Sequence, residues 1–355
     1  MSKFWKREFQ DDGKAKLLEI DPDTIKINSP SVVFLTGFST VDSQGGYIAG
    51  AIKRIEGLLG KTPDIYNHVD LYAWSHRNLN TIFNLASYNS MPNYYSSGAA
   101  KKLAKNIIMP LVAKNIKLDK KGRIEEATPL PLDEARKNLN NLTLFAYSIG
   151  TVLAQESYNA ASKMMQKIGY SKKDTKELLH EVVLLSMGTM SRPTKETDRF
   201  KTVFIIAPND RVAMRKYQIW PSLKERFLRK AKKLTIIPLS KNCVHVAAPV
   251  KKDMWEEKKV NGKTTKHMIA KLYPKWVPLE SQHELPLYLN NDAAENDFAT
   301  IVQHVLTNSI QRKESIDPLQ LLEPSSPLIK STLSEEENVE RKAYQNRIAQ
   351  AFQKK

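Results

Sequence analysis

The chain has 355 residues, 41% hydrophobic and 26% charged, with a formal net charge of +17 and a pI near 9.6. That is enough apolar material for one large core or two ordinary ones, and too much for a disordered chain. The charge favours acidic surfaces, but the lysines alternate with acidic residues and neither zinc-type Cys/His pairs nor an aromatic-basic RNA-binding signature occurs, so an anionic membrane surface is expected as a partner rather than nucleic acid.

The N-terminus, MSKFWKREFQDDGK, is charged and lacks the apolar core of a secretory signal. Residues 1–28 read as a polar lead-in or an edge element. SVVFLTGF (31–38) predicts a buried strand stopped by glycine. The following segment predicts a helix, with Ile48, Ile52, Ile55, Leu58 and Leu59 at helical spacing and Gly60 at its end. DIYNHVDLYAWS (64–75) predicts a second strand, and the Asn-, Ser- and Tyr-rich stretch 76–97 a loop. A helix is expected over 98–116, kinked or stopped by Pro110, then a turn-rich stretch over 118–134 without a continuous element.

A strand over 141–148, a helix over 149–169 and buried strands over 181–188 and 201–210 come next. Another helix is expected to about residue 232, and KLTIIPLS (233–240) reads as the last core strand. Cys243 is the single cysteine, which excludes an intrachain disulfide and a Cys-based metal site and suits a reducing compartment. Residues 246–282 read as an insertion with a hairpin turn at Asn261-Gly262, before a final helix over 296–310 with Phe298, Ile301, Val302, Val305 and Leu306 on one face. Residues 311–355 form a polar tail. No run reaches the roughly 18 apolar residues of a membrane span. Continuous apolar strands alternating with helices predict an α/β domain over 29–310, a mostly parallel sheet with helices on both faces and an inserted hairpin region before the final helix.

Chemistry centres on FAYSIGTVLAQE (145–156). Ser148 falls where a strand gives way to a helix, so it is either a nucleophile on a tight turn or an ordinary helix cap. Asp210 ends a later strand, and Gly37 ends the first strong one. The stretch A-Y-S-I-G departs from G-x-S-x-G at Ala146 and keeps Gly150. In motif and element order, residues 31–310 resemble the α/β-hydrolase superfamily of lipases and esterases.

The resemblance implies Ser148 as nucleophile and Asp210 as the acid that orients a histidine. It implies the backbone N–H groups of Ile149 and Phe38 as the oxyanion hole, although this chain has Thr36-Gly37 where the family often has His-Gly. For the histidine, His245 is the first choice, against a residue of a short strand flanked by Val244 and Val246. His283 is the alternative, against an exposed loop histidine. His68 and His76 are candidates for a substrate mouth, as are Tyr94, Tyr95, Met187 and Met190. The implied activity is hydrolysis of a carboxylic ester, lipid-like or small, with no metal and no organic cofactor. A thioesterase or acyltransferase would use the same triad, and a non-catalytic binding protein on the same scaffold is the rival from another class.

The tail carries an acidic cluster, SEEENVE (334–340), before a basic end. It is similar to C-terminal translocation signals of type IV secretion effectors, and equally to a solvated helix face. The first alternative implies synthesis in a bacterial cytosol and delivery into a host cell without a signal peptide.

Overall fold

A nine-stranded sheet organises the chain. A computed structural model describes residues 2–9, 15–22, 25, 27, 30–37, 46–60, 66–76, 95–190, 199–207, 210, 235–240, 243–247, 257–260, 263–266, 285–289 and 297–311. The strands are β1 (Ser2–Phe9), β2 (Ala15–Ile20), β3 (Ser31–Leu35), β4 (Asp70–His76), β7 (Leu142–Tyr147), β8 (Val183–Met187), β9 (Lys201–Ile206), β10 (Thr235–Ser240) and β11 (Cys243–Ala247). Their spatial order is β10-β11-β9-β8-β7-β3-β4-β1-β2. Every pairing from β11 across to β4 is parallel, and the register aligns Leu35 with Ala146, Ala146 with Ser186 and Ser186 with Phe204. The carboxyl ends of these strands therefore open along one edge.

Each central strand reads as a continuous apolar run because both of its faces are covered. Val32, Phe34, Phe145, Val183, Leu185, Val203 and Ile205 pack toward α1 (Gly46–Leu59) and α8 (Asp297–Gln311). The alternate residues Val33, Leu35, Leu144, Ala146 and Leu184 pack toward α2 (Gly98–Leu103), α3 (Met109–Val112), α4 (Leu132–Asn140), α5 (Gly150–Lys167) and α6 (Lys172–Leu179). The fold is α/β, mostly parallel, with helices on both faces.

One alternative is decided and several expectations are corrected. The N-terminal segment is the edge element: β1 pairs antiparallel with β4, and β2 with β1. Phe4 and Trp5 enter opposite faces of the core, and Phe4 meets Trp74 edge-on at 5.2 Å. The buried Arg7 donates to Tyr66 O at 3.0 Å and Val69 O at 2.6 Å, and faces Glu56 at 3.6 Å. Its charge disguises a strand that half enters the core.

The helix expected over 98–116 ends at Val112, after a π-helical stretch (Ala104–Ile108) that precedes Pro110. Proline cannot donate the next helical hydrogen bond, and a register shift accommodates it. β5 (Ala113–Leu118) takes the end of the expected helix, and the stretch expected to be turn-rich contains β6 (Ile124–Pro129) and the start of α4. This hairpin is largely exposed on both faces and so lacks the alternation that reveals a strand. Asp119 shapes its turn, accepting from Lys121 N at 2.8 Å and Arg123 N at 2.9 Å.

Residues 233–240 are not the last core strand. β10 lies at the sheet's outer edge, antiparallel to β11, and β11 is inserted between it and β9. Pro238 suits that edge position, beside a register shift. In the insertion, β12 (Glu257–Val260) and β13 (Lys263–Lys266) pair antiparallel around residues 261–262. Residues 77–94, 211–234 and 312–355 lie outside the described set, and with them the loop, helix and tail expected there. No helix among the described residues is long and apolar enough to cross a membrane.

Candidate active site

β7 ends at Tyr147 and α5 begins at Gly150, so Ser148 and Ile149 form the whole reversal. Ser148 has φ +55°, in the left-handed region. Among the described residues only one other non-glycine, Asn115, has positive φ. A serine held there stores roughly 1–3 kcal/mol of strain, which persists only where the surroundings over-determine it. They do: Ser148 N–H donates to Met187 O at 3.0 Å, and its carbonyl accepts from Thr151 N at 3.1 Å and Thr151 Oγ1 at 2.6 Å. The residue at the N-cap of α5 is Ile149, and no side chain caps the helix. Ser148 is therefore not the helix cap.

Two glycines sit against the turn. A Cβ on Gly150 would lie 2.3 Å from Leu35 O, so only glycine lets α5 start this close to the end of β3. A Cβ on Gly37 would lie 3.1 Å from Ser148 Cβ, so the backbone leaving β3 passes directly against the serine. Phe38, the next residue, lies outside the described set. Ile149 stands at the N-terminus of an 18-residue helix, where backbone donors lack intrahelical acceptors. Ile149 and Val152 pack with Tyr95 and Met190, forming an apolar wall beside the serine. Met187, expected at the mouth, is instead fully buried in the core, and Tyr94 is outside the described residues.

Asp210 follows β9 at the same edge of the sheet and is fully buried. Its N–H donates to Ala207 O at 2.9 Å, and its Oδ2 accepts from Tyr288 Oη at 2.6 Å. Tyr288, on α7 (Leu285–Tyr288), also accepts from Ala207 N at 3.2 Å. Its ring stands edge-on to Tyr147 at 6.4 Å. One aromatic pair thus links the serine turn to the buried acid. Sequence reasoning missed Tyr288, although an apolar LPLYL cluster after His283 was a usable signal.

His245 is not brought to this edge. It lies within β11, aligned with Phe204 of β9, and so level with Ala146 rather than Ser148. β8 and β9 separate β11 from β7, which at ~4.8 Å per strand places its backbone about 14 Å to the side, beyond hydrogen-bond reach. His283 lies outside the described residues, two positions before the buried Leu285. His68 precedes β4 and so sits at the opposite edge of the sheet from Ser148, whereas His76 ends β4 on the serine's edge.

A second acid is buried in α5. Glu156 accepts from Ser97 Oγ, and from Ser97 N at 3.1 Å, joining α5 to the start of α2. Its Oε1 has no partner among the described residues. Burial pushes its carboxyl up to about 7, against the lowering effect of the two Ser97 bonds. The sequence signal was a charged residue inside the otherwise apolar and small run VLAQESY. The described residues contain no cluster of His, Cys, Asp and Glu able to hold a metal ion. No protein-family model matches the sequence, and no curated protein matches it significantly.

Proposed function

We propose that the protein is a serine hydrolase of the α/β-hydrolase type, cleaving a carboxylic ester with an apolar, lipid-like acyl group. The observation that carries the proposal is Ser148 at φ +55° on a two-residue strand-to-helix turn, with glycine required at position 150 and a tight contact against Gly37. A strained turn of this kind lifts a nucleophile out of the sheet edge, and a plain structural serine has no need of it. The order serine, acid, histidine along the chain supports the same assignment.

Ser148 Oγ attacks the ester carbonyl while a histidine removes its proton. The oxyanion accepts hydrogen bonds from the N–H groups of Ile149 and Phe38. The imidazolium then protonates the departing alcohol, and water cleaves the acyl-enzyme by the same route. Asp210 orients the histidine and stabilises its charged form. His283 takes the histidine role: it precedes Leu285 in the segment whose Tyr288 holds Asp210, whereas His245 lies across the sheet. The wall of Ile149, Val152, Tyr95 and Met190 favours an apolar acyl group.

Covalent labelling with a fluorophosphonate, read by intact mass, tests this. One adduct is expected on the full chain and on His245→Ala, and none on Ser148→Ala or His283→Ala. Absence of an adduct on the folded wild type would assign the scaffold to binding without catalysis.

A further inference from the structure

A concave site lies toward the other end of α5. A cleft of about 650 Å³ opens between α2 with its π-helical continuation, the tip of the β5–β6 hairpin and the last turns of α5. Six lysines line it: Lys101, Lys102 and Lys105 from the first wall, Lys121 from the hairpin, and Lys163 and Lys167 from α5. Arg123 adds a seventh cation, paired with Asp119 at 2.6 Å. Among the described residues, no acidic side chain lines the cleft. Lys167 Nζ donates to Ile124 O at 2.5 Å, fixing the hairpin against the helix, so the walls are held rather than chance neighbours.

Cations gathered from three separate elements repel one another, and a concave shape concentrates their field. A ligand carrying several negative charges in a small volume relieves that repulsion. The volume suits a compact molecule, since ligand pockets run about 300–1,000 Å³. Lysine ammonium groups act as point charges that suit phosphate oxygens arranged around such a molecule.

We propose that this cleft is a binding site for a small polyphosphorylated ligand: a polyol polyphosphate, free in solution or displayed as a lipid headgroup. It is separate from the serine site, because Lys163 follows Ser148 along α5 by roughly 20 Å at 1.5 Å per residue. α5 runs away from the edge that carries Ser148, so a ligand in the cleft does not reach the nucleophile. Its role is to localise or regulate the protein, and it stands whether or not Ser148 is catalytic.

Calorimetric titration of the full chain with inositol hexakisphosphate at 0.15 M salt tests the site. Vesicles containing phosphatidylinositol 4,5-bisphosphate form a second arm, and single-stranded RNA a third. One site is expected, weakened at least about tenfold by Lys102→Glu with Lys163→Glu. The charge-matched pair Lys137→Glu with Lys172→Glu, exposed on α4 and α6, should weaken it less than about threefold. All four positions are exposed, and a thermal melt of each pair shows that it is folded at the titration temperature. Binding of the soluble polyphosphate assigns a free ligand; binding of the vesicles alone, lost in the same cleft variant, assigns the headgroup. Equal loss in both charge-reversed pairs, or binding of RNA alone, overturns the proposal, as does binding of none of the three.

Discussion

Ser148 concentrates backbone strain at the end of a central strand. Its left-handed backbone is held by hydrogen bonds from Thr151 and to Met187, so the strain is maintained by neighbours on two elements. Glycine adopts the same conformation without a Cβ penalty. Ser148→Gly is therefore expected to raise unfolding stability by about 1 kcal/mol in urea titrations while abolishing fluorophosphonate labelling. Ser148→Ala should abolish labelling without that gain. At Asp210, Tyr288→Phe removes the hydroxyl that donates to Oδ2 and leaves the ring against Tyr147. Removing one partner of a buried hydrogen bond costs about 1–3 kcal/mol. The expected result is an ester-hydrolysis kcat/KM down at least about tenfold, with a lowered urea midpoint; unchanged kinetics would remove Tyr288 from the site.

At the scale of elements, α5 does three jobs. Its first turn presents Ile149, its middle buries Glu156 against Ser97, and its last turns line the cationic cleft. Glu156 makes the packing of α5 on α2 sensitive to pH. Its carboxyl titrates at about 7 in the folded chain against 4.5 ordinarily. Between those values the folded state keeps a proton that the unfolded state has released, so stability falls as pH rises through this window and levels off above it. The fall is on the order of 3 kcal/mol. Glu156→Gln cannot ionise at this position, and its urea unfolding free energy should fall less between pH 5 and pH 8 than the wild type's does.

The whole molecule depends on its first strand more than its charge suggests. β1 closes β4, buries Phe4 and Trp5 on opposite faces, and brings Arg7 to Glu56 on α1. Phe4→Ala is expected to cost about 3–5 kcal/mol of unfolding free energy, the range for a buried phenylalanine. A poorly ordered lead-in would show no change.

Most of the layer architecture was legible in the chain. Central strands covered on both faces must be apolar throughout, and the helix-period patterns of α1, α5 and α8 record the faces they bury. The serine turn was legible for a related reason, since Gly150 marks a close approach that no other residue permits and Gly37 a tight one. The elements misread were those whose residues answer to water or to a single neighbour. The β5–β6 hairpin is exposed on both faces, and β1 carries charge around two core aromatics. β11 is a short strand whose place between β9 and β10 leaves no mark in local sequence. His245 illustrates the limit. Its position in the chain suits a catalytic base, but strand order decides which residues meet, and strand order is set by pairings between distant segments. The sequence by itself determined the layers, the turn and its serine. Only the tertiary structure placed His245 across the sheet, joined Tyr288 to Asp210, and gathered lysines from three elements into one cleft.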